Sequence, residues 1–187
     1  MLYLAVAMME NASELSAFMS RIQSAELRAV LKLWDICRGR RRFPTWPQLD
    51  AQLHVLKTER IWAFSYNRIT GDFTARFARN IPVIGFGKSF QGTRLQDLHY
   101  TDVFETVRAN FLRVLTEPAC CRWSGRLFKV GDQIVEGERI LLPMGSAILR
   151  PDGIFGASDF DFAVTQTPER LETIHDIADW GSLKSST

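Results

Sequence analysis

Between Ile61 and Ala78 apolar side chains recur at every second position, Trp62, Phe64 and Tyr66 and then Phe73, Ala75 and Phe77, and from Asp102 to Thr116 apolar ones recur every third or fourth position. The first period belongs to strands and the second to a helix. Ile61–Ile69 and Phe73–Ala78 flank Thr70-Gly71-Asp72, which predicts a hairpin closed by a glycine-containing turn. Trp62, Phe64 and Tyr66 share one face of the first strand; Phe73, Ala75 and Phe77 are expected to share one face of the second. Gly85, Gly87 and Gly92 then predict short turns and single helical turns up to Asp97. Asp102 with Glu105 has the spacing of a capping box, and Val103, Phe104, Val107, Phe111, Val114 and Leu115 form the apolar stripe of a helix ending at Glu117-Pro118. Three more β-rich segments follow at Ala119–Val130, Ile134–Leu142 and Ile154–Phe162, joined by Lys129-Val-Gly-Asp132 and Arg150-Pro-Asp-Gly153. Five strands with helices inserted after the second predict an α+β fold on an antiparallel sheet.

The flanks read as helices. Ser24 is placed to cap a helix whose stripe is Leu27, Val30, Leu31 and Trp34, and Gly39 is placed to end it. Phe43-Pro44-Thr45-Trp46-Pro47 predicts an extended connector, followed by a helical turn somewhere within Gln48–Leu56. Thr167-Pro168-Glu169 has the order cap, N1 proline, first-turn acid, and predicts a C-terminal helix closed near Trp180-Gly181. Met1–Met9 is apolar but far short of the roughly 20 residues that cross a bilayer, so neither a membrane span nor a signal peptide is expected. Leu15, Phe18, Met19 and Ile22 extend the apolar pattern. This segment is expected either to lie over the sheet or, preferentially, to form a homodimer through the N-terminal helix.

Composition narrows the function classes. The chain has 187 residues, 46% of them hydrophobic, enough for one domain with terminal segments. Lys and Arg number 23 against 21 Asp and Glu, so no overall field marks it for nucleic acid or an anionic membrane. Three cysteines, two of them adjacent, read as reduced thiols and point to the cytoplasm.

Candidate chemistry is sparse. Gly87-Lys88-Ser89 ends like a phosphate-binding loop, but Pro82 stands where that loop needs its first glycine. His54, His99 and His175 have no metal-ligand spacing, and no catalytic motif is visible, so neither metal nor cofactor is assigned and no enzyme is expected. Cys120 and Cys121 alternate on a strand, so one is expected in the core and the other at the surface. Arg38, Arg40, Arg41 and Arg42 read as charges answering a helix C-terminus rather than as a nucleic-acid contact.

Leu33-Trp34, Arg38-Gly39-Arg40, Pro44, Arg76-Phe77-Ala78, Gly87, Gly92, Leu95-x-Asp97-Leu98, Glu138–Met144 and Asp152-Gly153 occur in an order and spacing that resemble the PAS superfamily. Within it the chain resembles the single-domain PAS-like proteins of alphaproteobacteria, over about residues 25–163. Two positions depart from that pattern: Arg79-Asn80 replaces a glycine followed by threonine or serine, and Trp46 replaces an arginine. The resemblance implies an N-terminal extension (1–23), a PAS-like sensor domain (24–165) and a C-terminal helix and tail (166–187). It also implies a stand-alone sensory protein of the cytoplasm that binds a small molecule or a protein partner and signals by protein contact. His99 precedes the helix that lines the pocket in such proteins, where some relatives hold haem. The pocket residues expected are Phe77, Phe104, Phe111, Trp123 and Leu141, with Arg76 or Arg139 as a polar anchor. The alternative is a small enzyme or a carrier of a hydrophobic ligand. A buried polar pair inside the cavity would favour the enzyme, and a wholly apolar cavity a sensor or binding module.

Overall fold

The computed structural model describes residues 14–57, 60–79, 90–98, 101–117, 119–130, 133–160, 172–173 and 178–182. A helix α1 covers residues 14–21. It is followed by α2 (Ala25–Arg38), α3 (Trp46–Asp50), a 3-10 turn (Leu53–Val55) and the hairpin β1 (Ile61–Asn67) and β2 (Asp72–Arg79). Then come α4 (Leu95–Leu98), α5 (Thr101–Thr116), β3 (Ala119–Val130), β4 (Gln133–Met144), β5 (Gly153–Phe160), β6 (Glu172–Thr173) and β7 (Ala178–Ser182). The sheet runs β2-β1-β5-β4-β3-β6, with β7 also on β3, and every pairing is antiparallel. The five long strands and the helices inserted after β2 form the expected α+β arrangement.

Local chemistry sets the helix ends. The Ser24 hydroxyl accepts from Leu27 N at 3.1 Å, and Gly39, at φ 57°, closes α2 by donating to Asp35 O. Pro47 stands in the first turn of α3, where a missing N–H costs nothing, and the Gln48 side chain accepts from Thr45 N at 3.0 Å. The helix therefore begins at Trp46, inside the stretch expected to be extended. In the hairpin turn Gly71 takes φ 75°, a left-handed conformation that suits glycine, and donates to Asn67 O at 2.8 Å.

Both faces of the sheet are covered. On one, Leu15, Phe18, Ile22, Leu27, Val30, Leu31 and Trp34 pack with Ile61, Ala63, Ile140, Leu142, Phe155 and Ala157. The Trp34 indole ties α2 to the sheet by donating to Pro143 O at 2.8 Å. On the other, α4 and α5 supply Leu95, Leu98, Val107, Phe111, Val114 and Leu115 against Trp62, Phe64, Phe73, Trp123 and Leu141. Cys120 and Cys121 are consequently both buried, one in each layer, so the expected surface cysteine does not exist.

Two further expectations are corrected. Glu172–Thr173 and Ala178–Ser182, placed within a C-terminal helix by the local signal, are strands on β3. β3 is twelve residues long and, without them, would present a row of unpaired backbone groups; pairing it outweighs a weak helical propensity. The proline cap at 167–169 lies outside the described residues. The apolar stripe of α1, expected preferentially in a dimer, lies over its own sheet: Leu15, Phe18 and Ile22 are buried there, and Met19 is half-buried against them. Residues 1–9, the rest of that expectation, lie outside the described residues.

Candidate functional site

The α5 face of the sheet is built around an aromatic stack. Gly156 on β5 lies opposite Trp62 on β1, and a Cβ at Gly156 would come within 2.4 Å of the indole. The absence of a side chain there lets Trp62 lie over β5. Phe111 of α5 then stacks on Trp62 at 5.8 Å, with ring planes 10° apart, and meets Phe64 and Phe73 edge-on at 5.5 and 5.2 Å. These contacts fasten α5 to the hairpin.

Beside this stack the face turns polar. Arg139 on β4 is paired across the sheet with Trp123 on β3 and Ser158 on β5, so the three side chains project from the same face. Its Nε donates to Ser158 Oγ at 2.9 Å, and its guanidinium stands 6.0 Å from the centre of the Trp62 ring. Ser158 and Trp123 are buried and Arg139 half-buried. Burial lowers the Arg139 pKa from its ordinary 12.5 to about 10, which leaves it a cation at neutral pH. Among the described residues the guanidinium meets no carboxylate.

On the opposite face of the sheet an arginine of the neighbouring strand has the contrary arrangement. Arg122 of β3 donates to Glu138 in a buried ion pair. Glu138 also accepts from Gln23 N at 3.0 and 3.1 Å and from Ser24 N at 2.7 Å. This carboxylate therefore holds the junction of α1 and α2 to the sheet.

The expected pocket residues divide between the two faces. Phe111, Trp123, Leu141 and Arg139 share the α5 face, with Phe104 packed at its margin. Phe104 also borders a small, solvent-open surface cleft, with Asp72, Phe73, Arg94 and Arg108. Phe77 and Arg76 do not belong to the site. Ala63 pairs with Phe77 but Phe64 with Ala75, so Arg76 is an extra residue in β2. This bulge turns Phe77 onto the opposite layer, 5.7 Å from Trp46, and Arg76 stacks over the same indole at 5.0 Å. Trp62, Gly156 and Ser158 were missed as site residues. The alternation of β1 already placed Trp62 beside Phe64, whereas Gly156 and Ser158 acquire their meaning only when β5 is seen between β1 and β4.

Other candidates resolve plainly. Burial raises the Cys120 pKa from 9.0 to about 12 and that of Cys37 in the same direction, so neither is a ready nucleophile. Arg38 bonds Asp35 at 2.8 Å and Arg41 O at 2.9 Å, and Arg41 donates to Arg38 O at 3.3 Å, so these two of the four arginines sit at the end of α2. Among the described residues no cluster of His, Cys, Asp and Glu has metal-binding geometry, and no helix is long and apolar enough to cross a membrane. His99, Gly87, Lys88 and Ser89 lie outside the described residues. No protein-family model matches the chain, nor does any curated protein or solved structure.

Proposed function

We propose that this chain is a PAS-like sensory and signalling module, which binds a small molecule or a protein partner against the α5 face of its sheet and passes the change on by protein–protein contact. The observation that carries this reading is Arg139: a half-buried cation beside two tryptophans, bonded to one serine and, among the described residues, to no acid. Desolvating a charge without a partner is costly, and a bound ligand offsets that cost. The pair Arg139–Ser158 does not favour an enzyme. A guanidinium that stays protonated cannot take the serine proton, so Arg139 does not serve as the base that would make the hydroxyl a nucleophile.

The route outward is short. Residues 138 and 139 are neighbours on β4, one clamping the α1–α2 junction and the other facing the site. A shift of β4 on binding alters both, and the N-terminal helices carry the change to the surface. Assembly belongs to the same reading, as a symmetric homodimer through the N-terminal segment.

Mass spectrometry of the full chain under native conditions tests the reading. A co-purifying small molecule is expected in wild type and in Arg76→Gln, whose side chain is on the far face, and its loss is expected in Trp123→Ala. Equal retention in both variants, or no adduct together with no binding from a metabolite panel, overturns the site.

A further inference from the structure

Arg139 also identifies the chemistry of the ligand. We infer that the α5 face takes a small organic carboxylate, with the carboxylate on the Arg139 guanidinium and the apolar body against the tryptophans; this rests on the ligand-binding reading above.

The contrast with Arg122 carries the argument. Two arginines on the central strands face opposite layers. Arg122 is matched by an internal acid, Glu138, whose remaining capacity is filled by two backbone N–H groups. Arg139 uses only its Nε internally; among the described residues its two terminal amino groups have no acceptor, and they form the fork that fits a carboxylate in two parallel hydrogen bonds. The cation is pre-aimed as well as unpaired, because the bond from Nε to Ser158 Oγ fixes the plane of the guanidinium and Trp62 flanks it.

The surroundings select among anions. On the sheet, the cross-strand neighbours of Arg139 are Trp123 and Ser158, and its neighbours along β4 on the same face are Gly137 and Leu141; none of them is charged. One guanidinium with no second cation beside it on the sheet matches a monoanion better than a phosphate dianion. Trp62, Trp123 and Leu141 are themselves buried in the core under α5, so the surroundings of the guanidinium are apolar, and a carboxylate bearing a short aliphatic or aromatic body that displaces part of this packing fits better than an inorganic anion. Burial that destabilises the free cation strengthens its attraction for a charge brought into the same place, and the lowered pKa of Arg139 agrees with that burial.

The experiment titrates the full chain with straight-chain monocarboxylates from acetate to octanoate and with benzoate, each beside its primary alcohol, and with inorganic phosphate. The readout is the Arg139 Nε–Hε NMR signal, assigned with Arg139→Lys. At least one acid is expected to move that signal saturably and to bind about tenfold or more tightly than its alcohol. Arg139→Lys, which keeps the charge but loses the fork, is expected to weaken the acid roughly tenfold without changing the alcohol. The Nε–Hε measurement on wild type stands even where a variant folds poorly. Alcohols binding as tightly as acids overturn the carboxylate assignment while leaving the ligand-binding reading in place. Phosphate binding as tightly as the best acid replaces carboxylate by phosphate and overturns it too. No saturable acid at all overturns the inference, and an adduct from native purification that proves neutral does the same while preserving the wider reading.

Discussion

Single residues decide the α5 face. A methyl group at Gly156 would overlap Trp62, so the indole must lift and carry Phe111 with it. Gly156→Ala is therefore expected to cost about 1–3 kcal/mol in urea unfolding, the range for overpacking a filled core. Gly92→Ala makes a useful control: a Cβ there meets nothing within 4 Å, and any loss comes from its φ of 88° alone. Cys120 gives a pH signature. A thiol whose folded pKa is raised from 9.0 to about 12 keeps its proton in the native state while the unfolded chain loses it. Stability from this group is thus complete below pH 9 and falls as pH rises toward 12, by about 4 kcal/mol in all. Denaturant midpoints measured across that interval should fall less steeply in Cys120→Ala than in wild type.

At the scale of elements, the bonds from Glu138 to Gln23, Ser24 and Arg122 make β4 the anchor of both N-terminal helices. Removing the acid leaves Arg122 buried and the backbone groups unmet, so Glu138→Ala is expected to cost about 3–5 kcal/mol. Replacing both partners by leucine should recover much of that loss, because two apolar side chains leave no charge behind; chemical denaturation of the four corners of the cycle gives the coupling. In the double variant amide exchange at α1 should stay faster than in wild type, since the clamp is absent even where stability returns. The elements legible in the sequence were those with strong local signals. The hairpin, α2 with its Ser24 cap and Gly39 stop, and α5 with its stripe all formed within a few residues of their expected bounds. The C-terminal segment was misread because its helix signal was local, whereas its strand state depends on the open edge of β3, more than forty residues away.

The whole molecule is a sheet with both sides occupied, and α1 is part of the covering. Burying Leu15, Phe18 and Ile22 is worth about 1.5–3 kcal/mol each, before the entropy of ordering the helix is deducted. A chain beginning at Ser24 should therefore unfold at a markedly lower temperature and expose the face that α1 covers. A chain beginning at Ala12 keeps α1 and separates assembly from folding. Light scattering should show a dimer for the full chain and a monomer of nearly unchanged thermal stability after removal of residues 1–11. A monomeric full chain would refute the dimer.

By itself the sequence determined the α+β class, the succession of five long strands and the two principal helices, because period and punctuation are properties of neighbouring residues. It also brought forward Phe111, Trp123, Leu141 and Arg139 as candidates, and these four lie on one face of the sheet. Tertiary structure decided which of the expected residues meet. The bulge at Arg76 reverses the parity of the end of β2, and no local pattern marks it: Phe73, Ala75 and Phe77 alternate as well on paper as any strand. The partners of Arg139 were equally hidden, since Ser158 and Trp62 reach it only through the order β1-β5-β4. An arginine's charge is written in the chain, but whether an acid stands beside it is a property of the fold.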